Sequence, residues 1–329
     1  MPSTTSFKIS SNQEANDNTH SQQAASLETE IEKITQKINQ RGNLPHISVK
    51  EQLELLEQLA AFPLGRFFIR EKRLDGYWTD YVVNHPQTGR LTGLNSDGEP
   101  FTELESYILN RAPVFLATQE RFSIFQREIQ QAIREKSCQQ MTLASIPCGL
   151  MSDLLMLDYS QLSDYQLFGV DHDEEMGSRV KNSIRDKNLE ERVSIIQEDA
   201  WQVTLPQKAD LLTSNGLNLY VPDDNRVREL YKNFFDNLKD GGILVTSFLT
   251  PPPSMTDCSE WKLSEIDSHD AHLQRVVFQD VLAVSWQSYR STEMTEKQLR
   301  QSGFTEIRIL EDRARMFPTV VAKRKGVYS

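Results

Sequence analysis

The sequence predicts an α/β protein: a doubly wound, Rossmann-like sheet over the last two thirds of the chain, closed by an antiparallel C-terminal hairpin and preceded by a mainly helical cap region. Three observations carry this. From Met141 onward, short apolar runs (TLASI, YQLFGV, VSIIQ, ADLLTS, GILVTSFL) alternate with segments of helical periodicity, the pattern of successive βαβ units. Two more runs, FTEIRIL and TVVAKR, follow each other with only a loop between, which calls for antiparallel pairing and brings the strand count to seven. Before residue 137 the apolar residues recur mostly at helical spacing.

Residues 1–25 are rich in Ser, Thr, Asn and Gln, too poor in apolar groups to offset the entropy of ordering, and read as a disordered tail. Leu27, Ile31, Ile34 and Ile38 then mark one helix face, and Ser48 with Glu51 forms a capping-box pattern ahead of a second helix. Between Pro63 and Pro113 the periodicity breaks into aromatic and glycine-containing pieces, which suggest loops, short strands or short helices. Pro113 suits a first helical turn, and Phe115, Phe122, Phe125, Ile129 and Ile133 line a long helix ending near Lys136. Helix faces follow at Met176, Val180 and Ile184 and at Val227, Leu230 and Phe234, and Leu238 to Gly242 reads as a tight turn into the fifth strand. Thr295 and Gln298 resemble a capping box, with Gly303 where that helix stops. The expected organisation is a tail (1–25), a helical cap (26–136) and a catalytic domain (137–329) containing an insert at 251–291.

Composition narrows the function. A net charge of −11, with no run of five basic residues, argues against nucleic acid as partner. No apolar run has the ~18–20 residues of a membrane span, and the N-terminus shows no apolar signal stretch, so a membrane partner is not expected and export would need a signal-less route. Cys138, Cys148 and Cys258 are widely separated and suggest neither a metal site nor a disulfide framework. A cytoplasmic location follows as the simplest expectation. His269 and His272 could share a helix face but have no third ligand at suitable spacing, so no metal is expected.

In doubly wound sheets ligands bind at the carboxyl ends of the strands, near the point where strand order reverses. The first strand ends in Ser145-Ile146-Pro147-Cys148-Gly149, where a glycine lets a ligand approach bare backbone. The second ends in Asp171, roughly 20 residues beyond Gly149, the offset at which a carboxylate accepts from ribose hydroxyls. After the third, Asp199 can accept from an exocyclic amine, with Ala200 small enough for a flat ring and Trp201 beside it. Asn215 and Gly216 close the fourth strand, beyond Asp210, which reads as structural. Each residue also has a plainer role open to it: a turn for Gly149, a helix cap for Asp171 (which Asp173 could equally supply), a packed small side chain for Cys148, a core edge for Trp201.

Taken in order, GLM, VD, EDAW, ADLLTSNGLNLY and LKDGGIL resemble the successive motifs of class I S-adenosylmethionine-dependent methyltransferases over about residues 140–250. The resemblance implies S-adenosyl-L-methionine as cofactor. It places Asp171, with His172 alongside, at the ribose; Asp199, Ala200 and Trp201 around the adenine; and Ser145, Cys148, Gly149, Asn215 and Gly216 along the methionine part. The sequence departs from the family in having one glycine where that loop usually carries three, and Ser145 where an acid is common. Since a dinucleotide needs glycines to cradle its pyrophosphate and a sulfonium has no phosphate, the single glycine favours the sulfonium cofactor over NAD. An aminopropyl transferase would want an acid where Asn215 stands. A catalytically silent methyltransferase-like binding protein is the alternative to an enzyme.

The acceptor is expected to be a small molecule. Its pocket is expected where the aromatic segment 66–82 meets the insert, with Tyr77, Trp78, Arg121, Tyr220, Trp261, Trp286, Tyr289 and Arg290 as candidates. Trp286 and Arg290, four apart on an expected helix, would present an aromatic plane and a cation to a flat or apolar acceptor bearing an acidic group. No catalytic base is assigned.

Overall fold

The computed structural model describes residues 26–284 and 287–326. The expected tail, and Trp286 with it, lie outside the described residues.

Seven helices come first: α1 (Leu27–Arg41), α2 (Val49–Ala60), α3 (Pro63–Glu71), α4 (Gly76–Asn84), α5 (Gly89–Thr92), α6 (Glu103–Asn110) and α7 (Pro113–Glu135). Ser48 and Glu51 make the expected capping box, each side chain bonding the other's backbone N–H. The stretch 63–113 is helical where loops or strands were equally open to it. Its helices are short and locally started, by Pro63 in the first turn of α3, by the Asp75 carboxylate on the Trp78 N–H (2.7 Å) and by Thr102 on Glu105. They close a core around Leu59, Phe62, Phe68, Ile69, Val82 and Ile108.

The sheet follows: β1 (Gln140–Ser145), α8 (Ser152–Leu155), β2 (Asp164–Asp171), α9 (Glu174–Asp186), β3 (Val193–Gln197), β4 (Ala209–Ser214), α10 (Asp224–Asn237), β5 (Leu238–Ser247), α11 (Ser268–Arg275), α12 (Thr292–Gln301), β6 (Phe304–Leu310) and β7 (Thr319–Arg324). Among the described residues the strand order is β3-β2-β1-β4-β5-β7-β6. Pairing is parallel from β3 to β5, and β7 runs antiparallel between β5 and β6. Order therefore reverses between β1 and β4, so the carboxyl ends of these two strands border a crevice. The segment Leu238–Gly242 is not a turn ahead of β5 but part of it. Leu238 pairs with Ala209 and Ile243 with Leu211, and Gly241, at φ +73°, lies in the extra residues that bulge between them.

Helix α7 joins the two halves. Phe115 packs into the helical core, whereas Phe125, Ile129 and Ile133 pack on Leu143, Leu211, Val245 and Val321 of the sheet. The insert packs on the helical region too, through Val276, Val277, Val281 and Leu282, and the Tyr107 hydroxyl donates to the Asp270 carbonyl at 2.6 Å. Near the C-terminus Ser291, not Thr295, caps α12 by accepting from the Met294 N–H; Thr295 and Gln298 are buried inside the helix. Gly303 follows it at φ +103°, where a Cβ would lie 2.8 Å from the Phe235 ring.

Candidate active site

At the crevice the loop after β1 is held from both sides. The Ile146 N–H donates to Thr213 on β4, and the Cys148 N–H donates to Val170 on β2. Gly149 (φ +48°) then offers its N–H to one oxygen of Asp171 at 2.9 Å, while the other oxygen accepts from the Asp173 N–H at 3.1 Å. Asp173 itself caps α9. Asp171 is thus free of capping duty, is 8% exposed, and retains one lone pair on each oxygen for donors of a ligand. The helix that follows, α8, is a single turn, so its dipole contributes little to a bound ligand.

Around this loop lies a cavity of about 780 Å³. Cys148, Gly149, Asp171, His172, Asp199, Ala200, Trp201 and Asn215 all line it. The Asp199 carboxylate accepts from the Trp201 N–H at 2.9 Å, and the indole N–H donates to the Arg226 carbonyl, with the Arg226 guanidinium 4.7 Å from the ring centre. Two expected residues lie elsewhere. Ser145 is 1% exposed and donates to Asp153 at 3.0 Å beneath the cavity floor. Gly216 lines a second cavity. Burial pushes the Cys148 thiol well above its ordinary range, so it remains a protonated, packed group.

The cavity's other wall comes from the helical region, from the segment 66–82 expected to fold over the strand ends, although through other residues than the expected Tyr77 and Trp78. Arg73, Asp75, Gly76, Thr79 and Asp80 line it, and Asp80 accepts from Ser152 and from Asn84 Nδ2. Burial raises the carboxyls of Asp80, Asp75 and Asp153 above the ordinary aspartate range. Among the described residues lining it, Arg73 is the only Lys or Arg, against eight carboxylates, a surrounding that suits a cation and repels a polyphosphate.

A methyltransferase-domain family model matches residues 147–242, the segment from the loop after β1 to the bulge in β5. The chain belongs to the class I S-adenosylmethionine-dependent methyltransferases. This methyltransferase is 39% identical to a solved structure described as a possible exported protein from Bordetella parapertussis, covering 91% of this chain and 96% of that one with a TM-score of 0.82. That share exceeds what the sheet domain alone could supply, so the likeness extends into the helices ahead of it. It is also similar to an S-adenosylmethionine-dependent methyltransferase from Clostridium acetobutylicum (14% identity, 63% and 92% coverage, TM-score 0.44) and to the magnesium protoporphyrin IX methyltransferase of Synechocystis (11%, 76% and 99%, 0.48). No curated protein matches it. The family's cofactor is S-adenosylmethionine, and the residues fit it: acids for a cation, paired lone pairs at Asp171, and no glycine-rich phosphate cradle.

The second cavity, about 310 Å³, lies where segment 66–82 meets the insert, and Leu74, Thr79, Asn215 and Tyr220 line both cavities. Arg121, Tyr220, Trp261 and Tyr289 are among its lining residues. The Tyr220 hydroxyl donates to the Leu74 carbonyl at 3.1 Å, and burial pushes the phenol up to about 12. Three other expectations need correction. Trp78 is 9% exposed and packs in the helical core, and Tyr77 packs edge-on to it beneath the Arg179 guanidinium. Arg290 lies before α12 rather than on a helix, and its guanidinium is spent on Asp224 and on the carbonyls of Asn218 and Val221. His269 and His272 do not converge either. His269 contacts Asp270 at 3.7 Å, His272 sits edge-on to His46, and the neighbouring Asp267 and Asp270 are engaged by the α11 backbone and by Arg111. No helix among the described residues is long and apolar enough to cross a membrane.

Proposed function

We propose that the protein transfers a methyl group from S-adenosylmethionine to a small-molecule acceptor held in the second cavity. The observation that carries this is the shared wall: Leu74, Thr79, Asn215 and Tyr220 border both spaces, as a transfer between two bound molecules requires. When bound, the cofactor would supply a methyl group already activated for transfer by its sulfonium. The chain's own task is to bind, align and exclude water. Asp171 receives the ribose hydroxyls, Asp199 the adenine amine beside Ala200 and Trp201, and Asp80 with Asp75 the methionine ammonium. In that last role the helical region supplies the acid missing at Ser145. No acid or imidazole occurs among the described residues lining the acceptor cavity, so an acceptor proton would leave to solvent rather than to a dedicated base.

The acidic net charge favours neither nucleic acid nor an anionic membrane as partner. The three free thiols suit the cytoplasm; the Bordetella relative's description names export as the alternative, which cell fractionation decides. Calorimetry with S-adenosylhomocysteine and with NAD tests the cofactor. Micromolar-scale binding of the first alone is expected, and NAD binding in its place would overturn the reading. Labelled S-adenosylmethionine incubated with fractionated cell extract then separates an enzyme from a silent binding protein.

A further inference from the structure

We propose that the acceptor is a flat, apolar molecule carrying one anionic group, and that Arg121 receives that group. This rests on the second cavity being the acceptor's. Its walls are aromatic: Phe68 and Phe115 meet Phe278 at 5.3 and 5.5 Å, the second pair stacked, and Trp261 and Phe317 contribute further faces. Such walls select a planar or hydrocarbon body.

The charge pattern is one-sided. Lys72, Arg121 and Arg275 line the cavity, and no Asp or Glu does among the described residues. Arg275 is exposed and Lys72 has Glu30 at 3.6 Å, so both have other company. Arg121 differs. It is 2% exposed, its Nη1 donates to the Ser247 hydroxyl at 2.9 Å, and its Nε has no hydrogen-bond partner among the described residues. The Phe317 ring lies 4.1 Å from the guanidinium carbon, and no carboxylate among the described residues comes within 4.0 Å. The Asp312 carboxylate acts on it from farther off and is already engaged by the backbone N–H groups of Ala314, Met316 and Phe317. Burial pulls Arg121 down to about 10, which leaves it charged at neutral pH. A cation held this deep, with no carboxylate in direct contact among the described residues, is costly to the free protein, and an anion entering the cavity offsets that cost. Gly216 keeps the approach open, since a Cβ there would stand 3.4 Å from Nη1.

Two fluorescent probes of one shape test this on the full chain: anilinonaphthalene sulfonate, an anion, and phenylnaphthylamine, its uncharged counterpart. The anion is expected to bind one site at least about tenfold more tightly, the usual worth of a charge-assisted contact. Arg121→Met should erase that preference while leaving the neutral probe bound, Arg121→Lys should keep part of it, and Leu219→Trp, which fills the cavity, should weaken both. Equal affinity of the parent protein for the two probes, or a preference that survives Arg121→Met, would overturn the proposal. The parent comparison decides alone should a variant fail to fold. S-adenosylhomocysteine binding, measured in parallel, keeps the two readings apart: its failure would count against methyl transfer while leaving the anion preference intact.

Discussion

Gly76 and Gly149 meet backbone to backbone, so that a Cβ on Gly76 would lie 3.1 Å from the Gly149 Cα and 3.0 Å from the Met176 sulfur. The contact seats the first turn of α4 on the loop whose N–H reaches Asp171. Alanine is the better helix former, yet at this position it would push the loop away from the crevice. Gly76→Ala is expected to cost about 1–3 kcal/mol of stability and to weaken S-adenosylhomocysteine several-fold. Calorimetry and urea unfolding check it, and unchanged affinity would mean that the loop does not depend on α4.

Asp171 holds the loop and also faces the cavity. Asp171→Ala should remove the contact to the ribose hydroxyls along with the Gly149 tether, a loss of about 1.5–3 kcal/mol, or roughly 10–150-fold in cofactor affinity. Asp171→Asn keeps an acceptor for one N–H and should fall between. A folded Asp171→Ala protein with parental affinity would remove this residue from the site.

The Asp80 carboxyl is raised by burial, and the sign of its effect depends on the ligand. In the free protein a raised carboxyl contributes stability at acid pH that is lost as pH climbs through the raised value. Binding of a methionine ammonium requires the charged form, so affinity should climb over the same range. Asp80→Asn is therefore expected to hold or raise the melting temperature of the free protein near neutrality, to lower cofactor affinity about tenfold or more, and to flatten the affinity's rise with pH above the ordinary aspartate range. Thermal melts and calorimetry at several pH values check this. Loss of stability together with unchanged affinity would make Asp80 purely structural.

Asp80 also shows where sequence reading stops. The strands were legible because their apolar runs are short and uniform, and Asp171 and Asp199 because their offsets from Gly149 are set by the βα units between them. Nothing local links Asp80 to Ser152, 72 positions away; that contact exists only once α4 docks. The helices of 63–113 were obscure because none is longer than nine residues, about two and a half turns, too short for periodicity to separate them from loops. Arg290 was misplaced for a narrower reason. Taking Thr295 as a cap obscured the start of α12 at Ser291, whose capping leaves Arg290 in the preceding segment, turned inward and off any helix.

That inward turn gives Arg290 a different task. It is 5% exposed, and its Nε donates to Asp224 at 2.9 Å, its Nη1 to the Asn218 carbonyl at 3.0 Å and its Nη2 to the Val221 carbonyl at 2.6 Å. Its own N–H donates to the Leu249 carbonyl at 2.9 Å. One planar fork thereby ties the segment before α12 to the connection between β4 and α10, from which Gly216, Leu219 and Tyr220 line the second cavity. Lysine offers one point of charge and could not satisfy three acceptors in these directions. Truncation would leave two carbonyls and the Asp224 carboxylate without this partner, at a cost of about 2–4 kcal/mol. Arg290→Ala is expected to unfold at correspondingly lower urea while binding S-adenosylhomocysteine at the parental level well below its melting temperature, and Arg290→Lys should recover little. A stable Arg290→Ala protein with impaired cofactor binding would return this residue to the ligand site.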